Sequence, residues 1–307
     1  MTSVTGVSRF LLICNDAETA ALFYERAFGF VRVNDRVLTA SRYRGLINSR
    51  DAESHIITLR LGEQEIELAG SYPARQQRPS VIPGWSPLFQ HVAIVVSDMA
   101  EAHARLLAQS HWTAISTDGP ETLPASSGGV TAYKFRDPEG HPLELIAFAP
   151  ARVPPIWQRP SSNTPCLGID HSAISVRDSA RSKAFYRDLG FRTDGGSYNV
   201  GAEQDRLDAI GGARVEVAAL VSVPATTPHI ELLCYQGDFD RSAPLPDPDD
   251  PAATRLVLAA KNRESLVAVC HRNAATLVRD LTYLENGTSW AMICDPDGHL
   301  LCIVAPT

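Results

Sequence analysis

Short apolar runs, each followed by a segment with helical periodicity, recur along the chain. The runs are rich in β-branched residues and end at Asp or Asn, as in HVAIVVSD (91–98) and HSAISVRD (171–178). The terminal Asp or Asn can cap a helix by accepting a hydrogen bond from an unpaired backbone N–H group. Extended stretches with turn signals follow, such as HIITLRLGEQEIELAG from His55 and HIELLCY from His229. The pattern predicts a strand–helix–strand–strand–strand module that occurs four times.

An internal repeat groups these modules into two halves. SRFLLICNDAETAALFYERAFGF, from Ser8, matches IDHSAISVRDSARSKAFYRDLGF, from Ile169, and FRDPEGHPLELIAF, from Phe135, matches ICDPDGHLLCIVA, from Ile293. We therefore predict an α+β protein with one domain at 1–150 (modules one and two) and another at 166–307 (modules three and four). The Pro-rich segment 151–165 between them is predicted to be a stiff linker that acts as a spacer.

Composition narrows the range of partners. The chain has 307 residues, 44% of them hydrophobic, and a formal net charge of −7. An acidic chain without a run of Lys or Arg offers little to nucleic acid or to an anionic membrane surface. The N-terminus does not resemble a signal peptide, and the six cysteines are scattered without a C-x-x-C pair. We expect a cytoplasmic protein, a monomer or a homodimer, that binds a small-molecule substrate.

Two positions in each module could carry the chemistry. The first is the residue seven before the helix cap, which in modules one to four is Arg9, His91, His171 and Arg255. The second is a residue of the last strand, which in the same order is Glu67, Glu144, Glu231 and Cys302. A single His or Glu in a strand is usually solvated or hydrogen-bonded. His and Glu occur together at both positions in modules two and three, however. Two imidazoles and two carboxylates can bind a divalent transition metal such as Ni, Co, Zn, Mn or Fe.

The repeated D-x(6)-FY-x(3,4)-GF helix, the strand-opening His and the DP-[DE]-GH ending resemble the vicinal oxygen chelate superfamily. That superfamily includes glyoxalase I, methylmalonyl-CoA epimerase, fosfomycin-resistance proteins and extradiol dioxygenases. The resemblance implies βαβββ modules that pair into half-barrels, two modules curling around one metal. It also implies that the metal ligands are His91, Glu144, His171 and Glu231, a set similar to that of the nickel- or cobalt-preferring bacterial glyoxalase I.

The number of metal sites depends on which modules pair. If modules two and three pair, they form one complete site, and modules one and four are left with Arg9, Glu67, Arg255 and Cys302. Two arginines there would repel a divalent cation, and Glu67 would pair with Arg instead. If pairing follows the halves, each site keeps an incomplete set of ligands. We favour the first arrangement because it concentrates all four ligands in one place.

The resemblance suggests three functions. The first is a metal-dependent lyase or isomerase of glyoxalase or epimerase type, in which Ni, Co or Zn polarises vicinal oxygens and Glu144 or Glu231 is the general base. The second is an Fe(II)-dependent ring-cleaving dioxygenase of extradiol type, although Arg255 and Cys302 occupy positions where that family has iron ligands. The third is a metal-free small-molecule binding or resistance protein. We favour the first, because a binding protein has no need of four metal ligands.

Overall fold

The structure is a computed structural model, and it shows an α+β chain. It describes residues 4–39, 53–72, 82–158, 164–223, 227–240, 254–283 and 287–306. Residues 159–163 of the predicted linker lie outside this described part. No helix in the described ranges is long and apolar enough to cross a membrane.

Strands and short helices alternate along these residues. The helices are α1 (Ala17–Phe28), α2 (Met99–Leu107), α3 (Ser179–Leu189), α4 (Ala202–Asp208) and α5 (Arg263–Arg272). The strands are β1 (Val4–Cys14), β2 (Val31–Thr39), β3 (Glu53–Leu61), β4 (Gln64–Tyr72), β5 (Gln90–Val96), β6 (Thr113–Ala114), β7 (Glu121–Thr122), β8 (Thr131–Arg136), β9 (Pro142–Ala147), β10 (Cys166–Ser175), β11 (Arg192–Val200), β12 (Arg214–Val221), β13 (His229–Tyr235), β14 (Thr254–Ala260), β15 (Leu277–Tyr283), β16 (Thr288–Cys294) and β17 (Leu300–Pro306). Short 3-10 turns lie at Ala125–Ser127, Pro150–Arg152, Pro155–Trp157 and Ala274–Thr276.

Each predicted module begins with a strand and a capped helix. The side chains of Asp16, Asp98, Asp178 and Asn262 accept hydrogen bonds from backbone N–H groups of the first turn, which confirms the predicted caps. Within the described residues, modules one and four then continue with three strands. Module two has two very short strands, β6 and β7, where one strand was expected, and module three inserts α4 between β11 and β12. Gly201, with φ of 105°, ends β11 and allows this helix to start.

The strands form two large sheets, and each sheet combines modules from both halves of the chain. Sheet I has the order β15-β16-β17-β14-β1-β4-β3-β2 and contains modules one and four. Sheet II has the order β11-β12-β13-β10-β5-β9-β8-β6, with β7 beside β8, and contains modules two and three. At the centre of each sheet the opening strands of two modules pair antiparallel, β1 with β14 and β5 with β10. The structure thus has the pairing that the ligand positions favoured, not pairing within the halves.

The boundaries 1–150, 151–165 and 166–307 follow the sequence repeat, whereas the sheets cross them. The modules within one half are joined by a shared hydrophobic core and by a set of buried polar contacts. The Tyr24 hydroxyl of α1 donates to Asp137 in the turn after β8, over 2.9 Å, and Tyr186 of α3 donates to Asp295 over 3.2 Å. His141 adds a second contact between modules one and two, because its Nε2 atom lies 2.9 Å from the carbonyl oxygen of Ile13. Hydrogen bonds between the FY and DP-[DE]-GH motifs therefore connect module one with module two and module three with module four.

The concave faces of the two sheets carry different side chains. Inside sheet I the side chains of Trp290 and Met292 are 1% and 0% exposed and pack with apolar residues of β1, β3, β4 and β17. Inside sheet II a cavity of about 410 Å³ remains. Beside the hydrophobic core of sheet I lies a cavity of about 570 Å³, lined by Arg9, Arg36 and Glu67 among others, so both sheets have room for a ligand. The cavity of sheet II differs in containing the predicted metal ligands His91, Glu144, His171 and Glu231.

Candidate metal centre

The strand register brings the four predicted ligands to one face of sheet II. In the antiparallel pair of β5 and β10, His91 lies opposite Ala173, and His171 lies opposite Ala93. Each of these alanines is also in register with a glutamate of the parallel neighbouring strand, Ala93 with Glu144 and Ala173 with Glu231. Residues in register across strands point to the same face, as do residues two apart along one strand. All four side chains therefore lie on the concave side.

The side chains meet closely around His171. His91 Nε2 is 3.1 Å from Glu144 Oε2, and His171 Nε2 is 3.6 Å from the same oxygen and 3.5 Å from Glu231 Oε2. One ligand atom each of His91, Glu144 and His171 lies within 4.8 Å of the others. Glu231 is outside this triplet, and its side chain is 23% exposed, against 8% for Glu144. The structure thus forms a buried triplet with a fourth, more accessible carboxylate beside it.

The geometry and the donor set fit a divalent metal. Two ligand atoms that are each about 2.1 Å from one ion lie roughly 3.0–3.5 Å apart, close to the separations found here. His171 Nε2 is buried and has no hydrogen-bond partner within the described residues, although two carboxylates surround it. A buried polar atom without a partner is costly unless something binds it. A cation between these atoms would satisfy it and neutralise the carboxylates.

The neighbouring charges affect the two histidines differently. Burial lowers the pKa of His91, and the Glu144 carboxylate only partly opposes this. Burial would also lower the pKa of His171, but Glu231, Asp170 and Glu144 outweigh it and raise this pKa well above the ordinary value. The carboxylates therefore favour positive charge at His171, and a metal ion can supply that charge in place of a proton.

Asp170 orients His171, and the sequence reasoning missed it. His171 Nδ1 donates to Asp170 Oδ2 over 3.0 Å, which leaves Nε2 facing Glu144 and Glu231. The other oxygen, Asp170 Oδ1, accepts a hydrogen bond from the indole of Trp157 over 3.1 Å. Trp157 lies in the predicted linker, so this segment is more than a spacer. Such carboxylate partners fix the tautomer of metal-binding histidines.

His229 was also missed, although it stands two residues before Glu231. Its Nε2 atom is 3.6 Å from Glu231 Oε1, and its Nδ1 atom is 3.8 Å from Asp170 Oδ2. Asp170, His171 and His229 form a second close group of potential ligands. This group shares His171 with the triplet and borders the same cavity at Asp170 and His171, so we regard it as part of one site. The sequence offered one signal for His229, which is a second histidine on the same strand as the predicted ligand Glu231.

The corresponding positions of sheet I hold an ion-pair cluster instead of a set of metal ligands. Arg9 Nε donates to Glu67 Oε2 over 2.7 Å, and Arg36 Nη2 donates to the other oxygen over 3.1 Å, as predicted for this carboxylate. Arg255 and Cys302 are each 0% exposed, and burial raises the pKa of the Cys302 thiol to about 12. The two arginines repel a cation, and a neutral thiol is a poor metal ligand. Sheet I therefore contains a paired Arg–Glu cluster at this place.

A third group of potential ligands lies on the surface, away from the cavities. It consists of Glu18, Asp35 and His55. Arg32 already donates to both carboxylates, over 2.8 and 2.9 Å, and His55 Nε2 is 2.7 Å from Asp35. This is a solvated ion-pair network that needs no metal.

Comparison with known proteins agrees with this architecture. A family model described as the Glyoxalase/Bleomycin resistance protein/Dioxygenase superfamily matches residues 6–145 and 168–303. These segments make up most of the chain, which therefore belongs to this superfamily. The resemblance to vicinal oxygen chelate proteins is confirmed, and so is the predicted fold class.

Solved structures share the fold at low sequence identity. Glyoxalase I from Zea mays has a TM-score of 0.65 and 16% identity, over 98% of this chain and 92% of its own. A candidate dioxygenase from Bacillus subtilis has a TM-score of 0.58 and 15% identity, over 99% of this chain and 86% of its own. At such low identity these two structures indicate a common fold and do not identify the reaction. No curated protein matches the chain.

Proposed function

We propose that this protein is a divalent-metal-dependent lyase or isomerase of glyoxalase or epimerase type, acting on a small molecule with vicinal oxygens. The observation that carries the proposal is the convergence of His91, Glu144 and His171 in a cavity, with Glu231 beside them. Sheet I shows that the fold does not need such a cluster, because the corresponding positions hold Arg and Cys. The fold shared with maize glyoxalase I supports the same class.

His91, Glu144, His171 and Glu231 would hold the metal, with Ni, Co or Zn favoured and Fe or Mn possible. When bound, the ion would supply a Lewis acid that polarises a carbonyl oxygen of the substrate. The chain's own residues hold this arrangement in place. Asp170 keeps the Nδ1 proton of His171 and so leaves Nε2 as the metal-facing atom.

We assign the general base to Glu231 rather than Glu144. Glu144 is 8% exposed and lies within 3.6 Å of both histidines, whereas Glu231 is 23% exposed and contacts only His171 of the two. Burial would raise the pKa of Glu231, but His171 and His229 outweigh it and keep this carboxyl ionised. Glu231 would take the proton from the carbon next to the carbonyl. The C–H electron pair would form a C=C bond to the carbonyl carbon, and the carbonyl π electrons would move to its oxygen as an enolate. In a glyoxalase-type reaction the proton would then be added to the former carbonyl carbon, while the hydroxyl proton of the first carbon passes to the new alkoxide. In an epimerase-type reaction it would be added to the opposite face of the original carbon.

Both sides of the proposed site come from one chain, so catalysis needs no second copy. We also propose that the protein acts in the cytoplasm. All six cysteines are free, and five of them are buried, which is typical of proteins in a reducing compartment.

Hydrogen exchange at the substrate carbon tests this proposal. The chelator-treated chain would be reloaded with Ni²⁺ or Co²⁺ and incubated in D₂O with hemithioacetals of 2-oxoaldehydes, and deuterium at the reacting carbon would be followed by NMR. We expect exchange that requires the metal and falls about 100-fold or more in Glu231→Gln. Glu216→Gln, a substitution in a surface pair with Lys183, is the matched control and should exchange like wild type.

Two results would contradict the proposal. Exchange that persists without metal, or at an undiminished rate in Glu231→Gln, would remove the assigned roles. Oxygen uptake with catechols by the Fe(II)-loaded chain, without exchange in the Ni²⁺ or Co²⁺ forms, would favour the ring-cleaving dioxygenase instead.

A further inference from the structure

A buried lysine stands on the wall of the sheet II cavity, next to the metal cluster. Lys134, in β8, is 4% exposed and lies opposite Glu144 of β9 in the strand register. Side chains in such cross-strand pairs are direct neighbours on one face of the sheet. Lys134 also lines the cavity that His91, His171 and Glu231 line. Its ammonium group is therefore next to the space where a substrate would bind.

A network from module three holds this lysine. Lys134 Nζ donates to Asp208 Oδ1 over 2.6 Å, and Asp208 Oδ2 accepts from Gln204 Nε2 over 2.6 Å and from the Tyr235 hydroxyl over 2.8 Å. Asp208 and Gln204 belong to α4, the helix that lies between β11 and β12 of module three. This helix thus brings a counter-charge to the wall of the cavity and fixes the position of the ammonium group.

The fold itself does not require a cation at this position. The residues that occupy it in modules one, three and four are Thr58, Ala219 and Met292, each in register with the last-strand ligand position of its module. A buried ion pair is commonly no more stable than apolar residues of similar volume. A buried Lys–Asp pair in one module of four therefore points to a role other than stability.

The ammonium group also has unused hydrogen-bonding capacity. A lysine has three N–H donors, and in the described part of the chain Lys134 Nζ has one hydrogen-bond partner, Asp208. The other two N–H groups are available to oxygen atoms in the cavity. An ammonium group in a site of this kind attracts an oxygen atom that carries negative charge.

We propose that Lys134 is an oxyanion-binding residue of this site, which contacts a negatively charged oxygen of a ligand bound at the metal cluster. The inference rests on the proposed metal-dependent function. It limits the ligands to small metal-chelating molecules that carry, or develop in the reaction, an anionic oxygen such as an enolate, a hydroxamate or a carboxylate. A neutral ligand that offers no oxygen atom to the lysine would gain nothing from it.

Ligand binding to the Co²⁺-loaded chain tests this without a known substrate. Two probes would be titrated while the visible absorption of the cobalt is followed: acetohydroxamate, an anionic bidentate chelator, and imidazole, a neutral single donor. We expect Lys134→Gln to weaken acetohydroxamate binding about 10- to 100-fold, the effect of losing a charged hydrogen bond. Imidazole should bind within about threefold of wild type, and Co²⁺ as tightly or more tightly, because a nearby cation is gone.

Two further variants protect this test against a folding defect. Lys134→Arg keeps the charge and should retain most of the hydroxamate affinity. The double substitution Lys134→Met with Asp208→Asn removes both charges of the buried pair together, and it should lose hydroxamate affinity as Lys134→Gln does. Lys183→Met, in an exposed pair with Glu216, is the matched control and should bind both probes normally.

Unchanged hydroxamate affinity in Lys134→Gln or in the double variant, with one Co²⁺ still bound, would overturn the proposal. An equal loss of hydroxamate and imidazole affinity would also overturn it, since that is a general disturbance of the cavity. Failure of the wild-type chain to bind Co²⁺ is a separate result. It would refute the metal site and, with it, this inference.

Discussion

Replacing Asp170 by asparagine tests how His171 is kept ready for a metal. In the native site the two carboxylate oxygens face two different donors: Oδ2 faces His171 Nδ1 at 3.0 Å, and Oδ1 faces the Trp157 indole N–H at 3.1 Å. An asparagine amide has one oxygen and one NH₂ group, so it can accept from only one of these donors. The side chain is 11% exposed, so water does little to relieve this conflict.

The loss of metal affinity depends on which donor, Trp157 or His171, the amide oxygen accepts from. If the amide oxygen turns to Trp157, its NH₂ group faces His171 Nδ1, and the imidazole must move its proton to Nε2. This tautomer cannot bind a metal through Nε2. Loss of such an outer partner usually weakens metal binding about 10- to 100-fold, or about 1.4–2.8 kcal/mol. We expect a loss in this range for Asp170→Asn.

The assay is a competition titration of Co²⁺ against a coloured chelator, at fixed pH, with circular dichroism to check folding. Trp157→Phe removes the competing donor, and alone it should change metal affinity by less than about threefold. The double variant should then recover most of the affinity lost in Asp170→Asn, because the amide oxygen can turn to His171. Asp188→Asn is an exposed control. Native affinity in Asp170→Asn, or a double variant no better than the single one, would refute this account of His171.

The contacts that join the modules give two further predictions, both measurable by urea unfolding. Tyr24→Phe should lower the free energy of unfolding by about 1.5–3 kcal/mol, because it removes a buried hydrogen bond to the Asp137 carboxylate, whereas Tyr186→Phe should cost about 0.5–1.5 kcal/mol. We expect the smaller loss for Tyr186→Phe because its hydrogen bond is longer and because burial raises the pKa of Asp295, which disfavours the ionised carboxylate. Similar losses in both variants would contradict this ranking. Burial would also raise the pKa of Asp137, but His141 and the hydrogen bonds outweigh it, so this pKa is lowered. As the pH falls below about 4, the unfolded chain takes up this proton first and stability declines. Asp137→Asn should therefore lose stability less steeply between pH 5 and pH 3, roughly, than wild type does, and an unchanged slope would contradict the direction of the shift.

The module plan could be predicted from the sequence because its signals are local. Asp98 and Asp178 mark helix starts, and the histidines seven residues before them mark the matching positions of two strands. Equal spacing in each module became equal register in the sheet, so His91 and His171 reached one concave face. The pairing of modules two and three also followed from side-chain chemistry, because only this pairing collects all the ligands.

The parts of the site that the sequence did not reveal depend on tertiary contacts. Trp157 reaches Asp170 from the Pro-rich segment, and no periodicity relates a linker residue to the neighbour of a ligand. Lys134 and Asp208 lie in different modules, 74 residues apart, and meet only because β5 and β10 join their modules in one sheet. Helix α4 is too short to produce an amphipathic pattern that stands out from a loop.

The central claim is that modules two and three share one metal site and that modules one and four have none. The most direct measurement is the number of Ni²⁺ or Co²⁺ ions bound per chain, by isothermal titration after chelator treatment, in wild type, His91→Ala, His171→Ala and Arg9→Ala. We predict one ion per chain in wild type and in Arg9→Ala, and none bound with comparable affinity in either histidine variant. Two ions per chain in wild type, or one ion bound at wild-type affinity by either histidine variant, would contradict the shared site.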